Sequence, residues 1–382
     1  MSLWPKVALH EIAPIVRRPA DIVPEQSYPE LGIRSFGRGT FHKPALSGAE
    51  VGTKRLFRIE PGDLVFSNVF AWEGAIAVAS SADAGRFGSH RFITCVVDTA
   101  RANATYLKLY LTTAPDGRGQ VQSASPGGAG RNRTLGVEKL GRIEVPLPPR
   151  AEQQAIVDRI DALTAKTEQV EAHLDAAERD AEHLLAVRFR EAVADAPMRP
   201  MSEVAPLVRR EVSIDPETSY TELGVRSFFK GTFQRRTVVG TEFSWQDLYW
   251  VKKGDLVFSN IMAWEQAIAV AKPEDHDCVG NHRMLTCEAK ANCAVPEFLW
   301  YYFTTPDGFH KVYAASPGTA ARNRTITASA LMAIHVPTPP LATQQSFERL
   351  QAKVAALKAE HAAIRAANAA LLPATLERIF RG

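Results

Sequence analysis

Apolar residues recur along residues 151–195 in alternating steps of four and three. Ile156, Ile160, Leu163, Thr167, Val170, Leu174, Ala177, Ala181 and Leu184 make one unbroken heptad seam, and only Thr167 in it is polar. The stretch lacks Gly and Pro, follows Pro148-Pro149 with Glu152 in its first turn, and ends before Pro197 and Pro200. The spacing predicts a helix of ~45 residues, a rod of roughly 65 Å at 1.5 Å per residue. An apolar seam of that length needs a partner helix. The C-terminal segment offers one. After Pro339-Pro340 come Phe347, Leu350, Val354, Leu357, His361, Ile364, Asn368 and Leu371, each 187 positions beyond a seam residue from Ile160 to Leu184. LLAVRFREAV from Leu184 likewise matches LLPATLERIFRG from Leu371. Gln153-Gln154, however, matches Gln344-Gln345 at an offset of 191, so the spacing predicts one turn missing near the start of the second helix. Two unrelated amphipathic helices, each packed on its own domain, are the alternative.

The segments before these helices are copies of each other. Glu11-Ile12-Ala13-Pro14 with Arg17-Arg18 returns as Glu203-Val204-Ala205-Pro206 with Arg209-Arg210. YPELGIRSFGRGTF from Tyr28 returns as YTELGVRSFFKGTF from Tyr220, and GDLVFSNVFAWEGAIAVA from Gly62 as GDLVFSNIMAWEQAIAVA from Gly254. His90-Arg91 returns as His282-Arg283, SPGGAGRNRT from Ser125 as SPGTAARNRT from Ser316, and VPLPP from Val145 as VPTPP from Val336. A unit of this length occurring twice is a duplicated domain rather than a solenoid. The expected organisation is a domain over 1–150, a helix over 151–196, a second domain over 197–341 and a second helix over 342–382. Each domain reads as mixed α/β. Strands are expected at 55–59, 64–67, 75–79, 91–97 and 143–146, with a turn at Pro61-Gly62-Asp63. Short helices are expected at 106–113 and 297–304, and a loop over 125–133.

Charge refines this picture. Residues 1–150 hold 19 Lys+Arg against 13 Asp+Glu, a net of +6, whereas 151–195 hold 5 against 11, a net of −6. Phosphates can meet the first domain more readily than the rod. No apolar run approaches the length of a membrane span, and the N-terminal residues lack a signal-peptide layout. Four cysteines in 382 residues suggest a reducing, cytoplasmic setting.

A catalytic constellation is not evident. Asp277 with Glu288-Ala289-Lys290 has the spacing of a metal-dependent nuclease, but the other copy carries Val96 and Asp98 at the last two positions. Cys278, His282, Cys287 and Cys293 could suggest zinc, yet only His282 and Cys287 have counterparts, His90 and Cys95, which favours a buried thiol. No P-loop, dinucleotide-binding turn or methyltransferase motif occurs. The candidate chemistry is that of a nucleic-acid surface. Arg131-Asn132-Arg133 and Arg322-Asn323-Arg324 sit in expected loops, suited to phosphate or base-edge contact or, equally, to clamping loop carbonyls. Arg34, Arg38, Arg226 and Lys230 fall in polar turns. Asn68 with Trp72, and Asn260 with Trp264, follow a strand end, where Asn suits adenine and Trp suits packing. His90, Arg91, His282 and Arg283 occupy matching positions. His42-Lys43 against Gln234-Arg235-Arg236 lies where the copies diverge most, from there to about residues 60 and 252.

Two α/β domains alternating with two long helices, each helix begun by VPLPPRAEQQAIV or VPTPPLATQQSF, and the ending LLPATLERIFRG, resemble the specificity subunit of a type I restriction–modification system. The resemblance covers nearly the whole chain. It implies two target-recognition domains on an antiparallel coiled coil, each reading half of a bipartite double-stranded DNA site in a prokaryotic cytoplasm. It further implies docking of two adenine-N6 methyltransferase subunits, whose cofactor is S-adenosylmethionine, and of a motor–nuclease subunit for restriction. The chain itself is expected to hold no cofactor and to catalyse nothing. Thr343 stands where the first helix has Glu152, and the two domains are more alike than is usual in this family. A non-reading scaffold, decoy or adaptor of a defence system is the second reading, and a nuclease in its own right the third.

Overall fold

The computed structural model describes residues 4–127, 133–243, 247–318 and 324–381. They form two compact units, Met1–His173 with Ala362–Gly382, and Leu174–His361. Each unit therefore takes part of both long helices, Arg150–Val193 and Leu341–Arg381. Among the described residues no helix is long and apolar enough to cross a membrane.

The first unit contains strands β1 (Lys6–Ala8), β2 (Ser27–Ile33), β3 (Thr40–Ser47), β4 (Leu56–Arg58), β5 (Leu64–Ser67), β6 (Ile76–Val78), β7 (Phe87–Ser89), β8 (Phe92–Cys95) and β9 (Glu144–Pro146). They build three sheets, ordered β3-β2-β7-β4, β6-β5-β8 and β1-β9. Among the described residues of this unit, only β2 and β7 pair in parallel. In β5 the period of two sorts residues between two cores, because successive side chains leave opposite faces. Leu64 and Phe66 join Ile76, Ile93 and Cys95 under the helix Ala104–Thr113, while Val65 joins Leu31, Ile59, Ala77 and Phe92. A strand apolar on both faces is thus covered on both. The second unit repeats the arrangement, with Leu256, Phe258, Ile268 and Cys287 in one cluster and Val257, Leu223, Ala269 and Met284 in the other. Observed strands fall within one or two residues of those expected. The hairpin of β2 and β3, the parallel strand β7 and the helices Pro115–Ser123 and Pro306–Ala314 were not foreseen.

The start of each long helix is tied to the domain before it by one buried amide. Gln153 is fully buried. Its Oε1 accepts from the Asn103 amide at 2.8 Å, and its Nε2 donates to the carbonyls of Arg101 at 2.9 Å and Pro148 at 2.8 Å. Gln344 repeats all three bonds with Val295, Cys293 and Pro339 at 2.9, 3.0 and 2.8 Å. The helices then pair within each unit. In the first, Ile156, Val157 and Ile160 share a core with Leu376 and Phe380, and Glu171 takes the Arg365 guanidinium at 3.1 Å. In the second, the Phe189 ring packs at a tilt against Phe347, centroids 5.3 Å apart, Glu182 meets Lys358 at 2.6 Å and Glu178 meets His361 at 3.0 Å. In both, rising numbers on one helix meet falling numbers on the other, so the pairs are antiparallel.

Two details of the expected seam are corrected. Leu184, Ile364 and Leu371 are exposed, at 42%, 42% and 43%, whereas Leu185 is buried and Leu372 packs against the first core. A straight α-helix drifts by ~20° per heptad relative to a strict 3.5-residue repeat. The inward positions therefore take two successive steps of four, through Val170, Leu174 and Glu178 and through Leu357, His361 and Arg365. Ile160, Leu163, Val170, Leu174, Phe347, Leu350, Val354 and Leu357 remain buried or half-buried as expected. Nor is a turn missing from the second helix. From Gln153 to Phe189 (189 − 153) and from Gln344 to Phe380 (380 − 344) the separation is 36 residues in both. Phe189 packs on Phe298 and Phe380 on Tyr106, the matching position. The 187-residue match is an alias, since moving along a helix by four residues lands one apolar position on another.

Two outcomes follow for equilibrium unfolding. Leu185→Asp buries a charge in the second core and is expected to cost several kcal/mol, whereas the neighbouring Leu184→Asp stays within ~0.5 kcal/mol. Equal effects would restore the strict heptad. Gln153→Ala strands one amide and two carbonyls and is expected to cost roughly 3 kcal/mol, which a matched pair of denaturant titrations measures.

Candidate nucleic-acid interface

The hairpin turn 34–39 is built before it is charged. Gly32 faces the Phe41 ring so closely that an added Cβ would lie 2.2 Å from it. Arg34 lies over that ring, 5.2 Å from its centroid, and donates to the Thr40 carbonyl. Arg226 does the same in the second unit, 4.7 Å over Phe233 and 2.9 Å from the Thr232 carbonyl. These two arginines close the turn. The turn in turn docks on the short 3-10 helix Ala71–Glu73: the Phe36 amide donates to the Glu73 carbonyl and Gly37 to Gly74, both at 2.8 Å. Ser35 Oγ adds a bond to the Glu73 carboxylate at 3.1 Å.

Asn68, at the end of β5, ties this region to two more segments. Its amide donates to the Arg91 carbonyl at 2.8 Å, and its carbonyl accepts from Leu135 at 2.7 Å. Asn260 repeats both bonds with Arg283 and Ile326 at 2.8 and 2.9 Å. The structure thus brings Asn68, Trp72, His90, Arg91 and Arg133 to one region beside the hairpin turn, as it does Asn260, Trp264, His282 and Arg283. Trp72 spends its indole N–H on the Val69 carbonyl at 3.0 Å, and Trp264 on Ile261 at 2.8 Å. Arg133 stacks 5.2 Å over Trp72. Arg324 instead lies 4.1 Å over Tyr313 and donates to the Ser316 carbonyl at 3.1 Å, which is the clamp role. Arg131, Asn132, Arg322 and Asn323 lie outside the described residues.

The Asn68 and Asn260 side-chain oxygens are buried and have no hydrogen-bond partner among the described residues. A bidentate adenine contact needs that oxygen at the surface, so in this conformation neither side chain can make one. His90, Arg91, His282 and Arg283 are exposed, and among the described residues no side-chain bond is recorded for Arg91 or Arg283. His42 lies further along β3, where its ring bonds the buried Asp83 at 3.0 Å. Burial opposes ionisation of Asp83, but the Ser80 amide, His42 and the hydroxyls of Ser80 and Thr40 hold its carboxyl below the usual range. Gln234 turns to the Glu274 carbonyl at 2.9 Å, while Thr232 keeps the bond to Asp275. Lys43 and Arg235 are exposed. Arg235, Asn281 and Arg283 line one open cavity of roughly 360 Å³ in the second unit.

The residues weighed for other chemistry are committed elsewhere. Glu288 pairs with Arg210 at 2.8 Å, Cys293 contacts Arg199, and Cys278 and Cys287 belong to separate cores. Burial pushes the Cys95 thiol up to about 12. Among the described residues no three His, Cys, Asp or Glu side chains converge. The sequence reading missed Phe36 and Phe228, although the repeated Ser-Phe before Lys/Arg-Gly-Thr-Phe was the available signal. It also left unassigned the repeated Arg-Arg, whose second member makes a two-pronged ion pair, Arg18 with Asp63 and Arg210 with Asp255, at 2.6 and 3.0 Å.

Residues 1–179 match the family model described as the type I restriction modification DNA specificity domain. Among solved structures, the HsdS subunit from Thermoanaerobacter tengcongensis is similar at 21% identity with a TM-score of 0.67, covering 99% of this chain and 97% of that one. A chain from a study of complex assembly and conformational transition of the type I R-M system gives 21% identity and a TM-score of 0.67, covering 99% and 98%. No curated protein matches in sequence. The expected fold, two mixed α/β units with two long helices, is that of these structures, and the resemblance to specificity subunits is borne out.

Arg34 and Arg91 should part company in a salt titration. Arg34→Ala is expected to lower stability by about 1 kcal/mol and leave the salt dependence of DNA binding unchanged. Arg91→Ala is expected to spare stability and reduce the slope of log affinity against log salt by about one. The reverse pattern would exchange their roles.

Proposed function

We propose that this chain, whose residues 1–179 carry a type I restriction modification DNA specificity domain, is the non-catalytic specificity subunit of such a complex. Each unit reads one half of a bipartite double-stranded DNA site in a prokaryotic cytoplasm. The paired helices hold two methyltransferase subunits that use S-adenosylmethionine to methylate adenine, and motor–nuclease subunits join for restriction. The observation that carries this reading is the repetition of one surface in two units of a chain with a specificity-domain sequence. The turn, the Asn68 and Asn260 junctions and the exposed Arg91 and Arg283 recur with the same backbone bonds. Side chains near base edges supply discrimination of ~1–3 kcal/mol per good bidentate contact.

Because the readers share Arg91 and Arg283, His90 and His282, the half-sites are expected to share bases. Their differences are expected to trace to residues 42–60 against 234–252. Filter binding on mixed-sequence duplexes separates this reading from a scaffold that reads nothing, since a scaffold would retain all sequences alike. Genome-wide mapping of methylated adenine in a host carrying the complete system then gives the site. Exchanging the two divergent segments is expected to swap the differing bases and keep the common ones. Half-sites with no base in common would remove the shared readers from the mechanism.

A further inference from the structure

Phe36 and Phe228 are more exposed than the other exposed large apolar side chains among the described residues, at 71% and 60%. Both sit at left-handed backbone angles, φ 62° and 60°, which bulky residues rarely adopt. A flexible tip would relax out of that region, but these tips are held. The Phe36 and Phe228 amides donate to Glu73 and Glu265 at 2.8 and 3.0 Å, and the following amides to Gly74 and Gln266 at 2.8 and 2.9 Å. Ser35 and Ser227 bond the same two glutamates at 3.1 and 2.9 Å. The next residue differs between units. It is Gly37 in one and Phe229 in the other, where its ring packs edge-on against Trp300 at 6.2 Å. Packing thus engages position 229 and leaves Phe228 outside, as it leaves Phe36. A cation accompanies each exposed ring: Arg38 and Lys230 stand 5.7 Å from the ring centroids.

An apolar ring held rigidly in water is matched by a stacked base, and a cation at its flank by phosphate. In the second unit Val225, the last strand residue before this turn, lines one cavity with Arg283, and in the first the Asn68 amide donates to the Arg91 carbonyl just before the 3-10 helix that holds the turn. We propose that Phe36 and Phe228 are wedges that enter the duplex at one base step in each half-site and unstack it, with Arg38 and Lys230 meeting the adjacent backbone. The inference rests on the DNA-reading function proposed above and adds to it the residue that deforms the site. A wholly apolar socket on a protein partner would leave the flanking cation unpaired, whereas a stacked base brings its phosphate with it.

The test uses the full chain with its methyltransferase subunits and duplexes of the mapped site carrying 2-aminopurine at successive positions. Wild-type protein is expected to raise 2-aminopurine fluorescence at one step in each half-site. Phe36→Ala is expected to abolish the rise in the first unit's half-site and Phe228→Ala in the second's, each leaving the salt slope unchanged. Phe36→Leu, still apolar and bulky, is expected to retain much of the signal, so that loss in the alanine variant is not a folding defect. Fluorescence that persists in Phe36→Ala overturns the wedge while leaving sequence-specific binding intact. Alanine variants that stop recruiting methyltransferase but still distort DNA also overturn it, in favour of a protein contact. Wild-type protein that binds all sequences alike removes the DNA-reading function itself, and the wedge with it.

Discussion

A single buried side-chain amide at the start of each long helix makes the rest of the structure possible. A helix carrying an apolar seam must meet its domain at one angle and one register, and apolar contacts alone define neither sharply. The Gln153 side chain satisfies three main-chain groups at once, with one oxygen accepting and both hydrogens donating. No apolar side chain of that volume could, and a carboxylate would lack the donors. The Asn103 amide that it receives begins the helix Ala104–Thr113, so the same bond orients helix and domain core together. In the second unit Val295 replaces Asn103, and the capping side chain is lost while the bond to Gln344 stays. The bond therefore serves the junction rather than the cap. Gln154, which bonds the Asn103 side chain at 2.9 Å, takes part in the cap only in the first unit.

The helices and central strands were legible in sequence because burial leaves a period in the chain. Helix register was not legible, and the reason is physical. A seam that repeats about every four residues matches itself after a shift of four, so the pattern cannot tell an offset of 187 from one of 191. Only non-periodic landmarks break the tie, Gln153 with Gln344 and Phe189 with Phe380. The hairpin turn resisted for a different reason. Its conformation depends on carbonyls of the 3-10 helix that follows β5, contacts between segments far apart in sequence. Nothing near Phe36 in the chain announces a left-handed phenylalanine.

Arginine was the least legible residue type, because its side chain serves as cation or as scaffold with equal ease. Arg18 lies against Asp63, whose hydrogen bond raises the guanidinium's proton affinity further, although burial opposes it. Arg34 closes a turn and Arg133 covers a tryptophan. Each counts toward the net charge of the first domain, yet the first two are already satisfied by the fold. The charge presented to a polyanion is smaller than the composition suggests, and it concentrates on exposed residues such as Arg91 and Lys43.

The same reasoning explains where the copies were free to diverge. Along β3 the inner partners are fixed: Phe41 by Gly32, and Thr40 by Asp83 at 3.0 Å. His42 to Ala45 are exposed, as are Gln234 to Thr237 on the equivalent strand. Asp83 gains a ring nitrogen from His42, but Asp275 keeps the Thr232 hydroxyl and the Lys272 amide without one, so the buried carboxylate does not depend on that position. Substitution along this strand changes what the surface offers and costs the fold little. A duplicated domain can therefore change what it presents there while the turn, the asparagine junction and the helix attachment stay as they are.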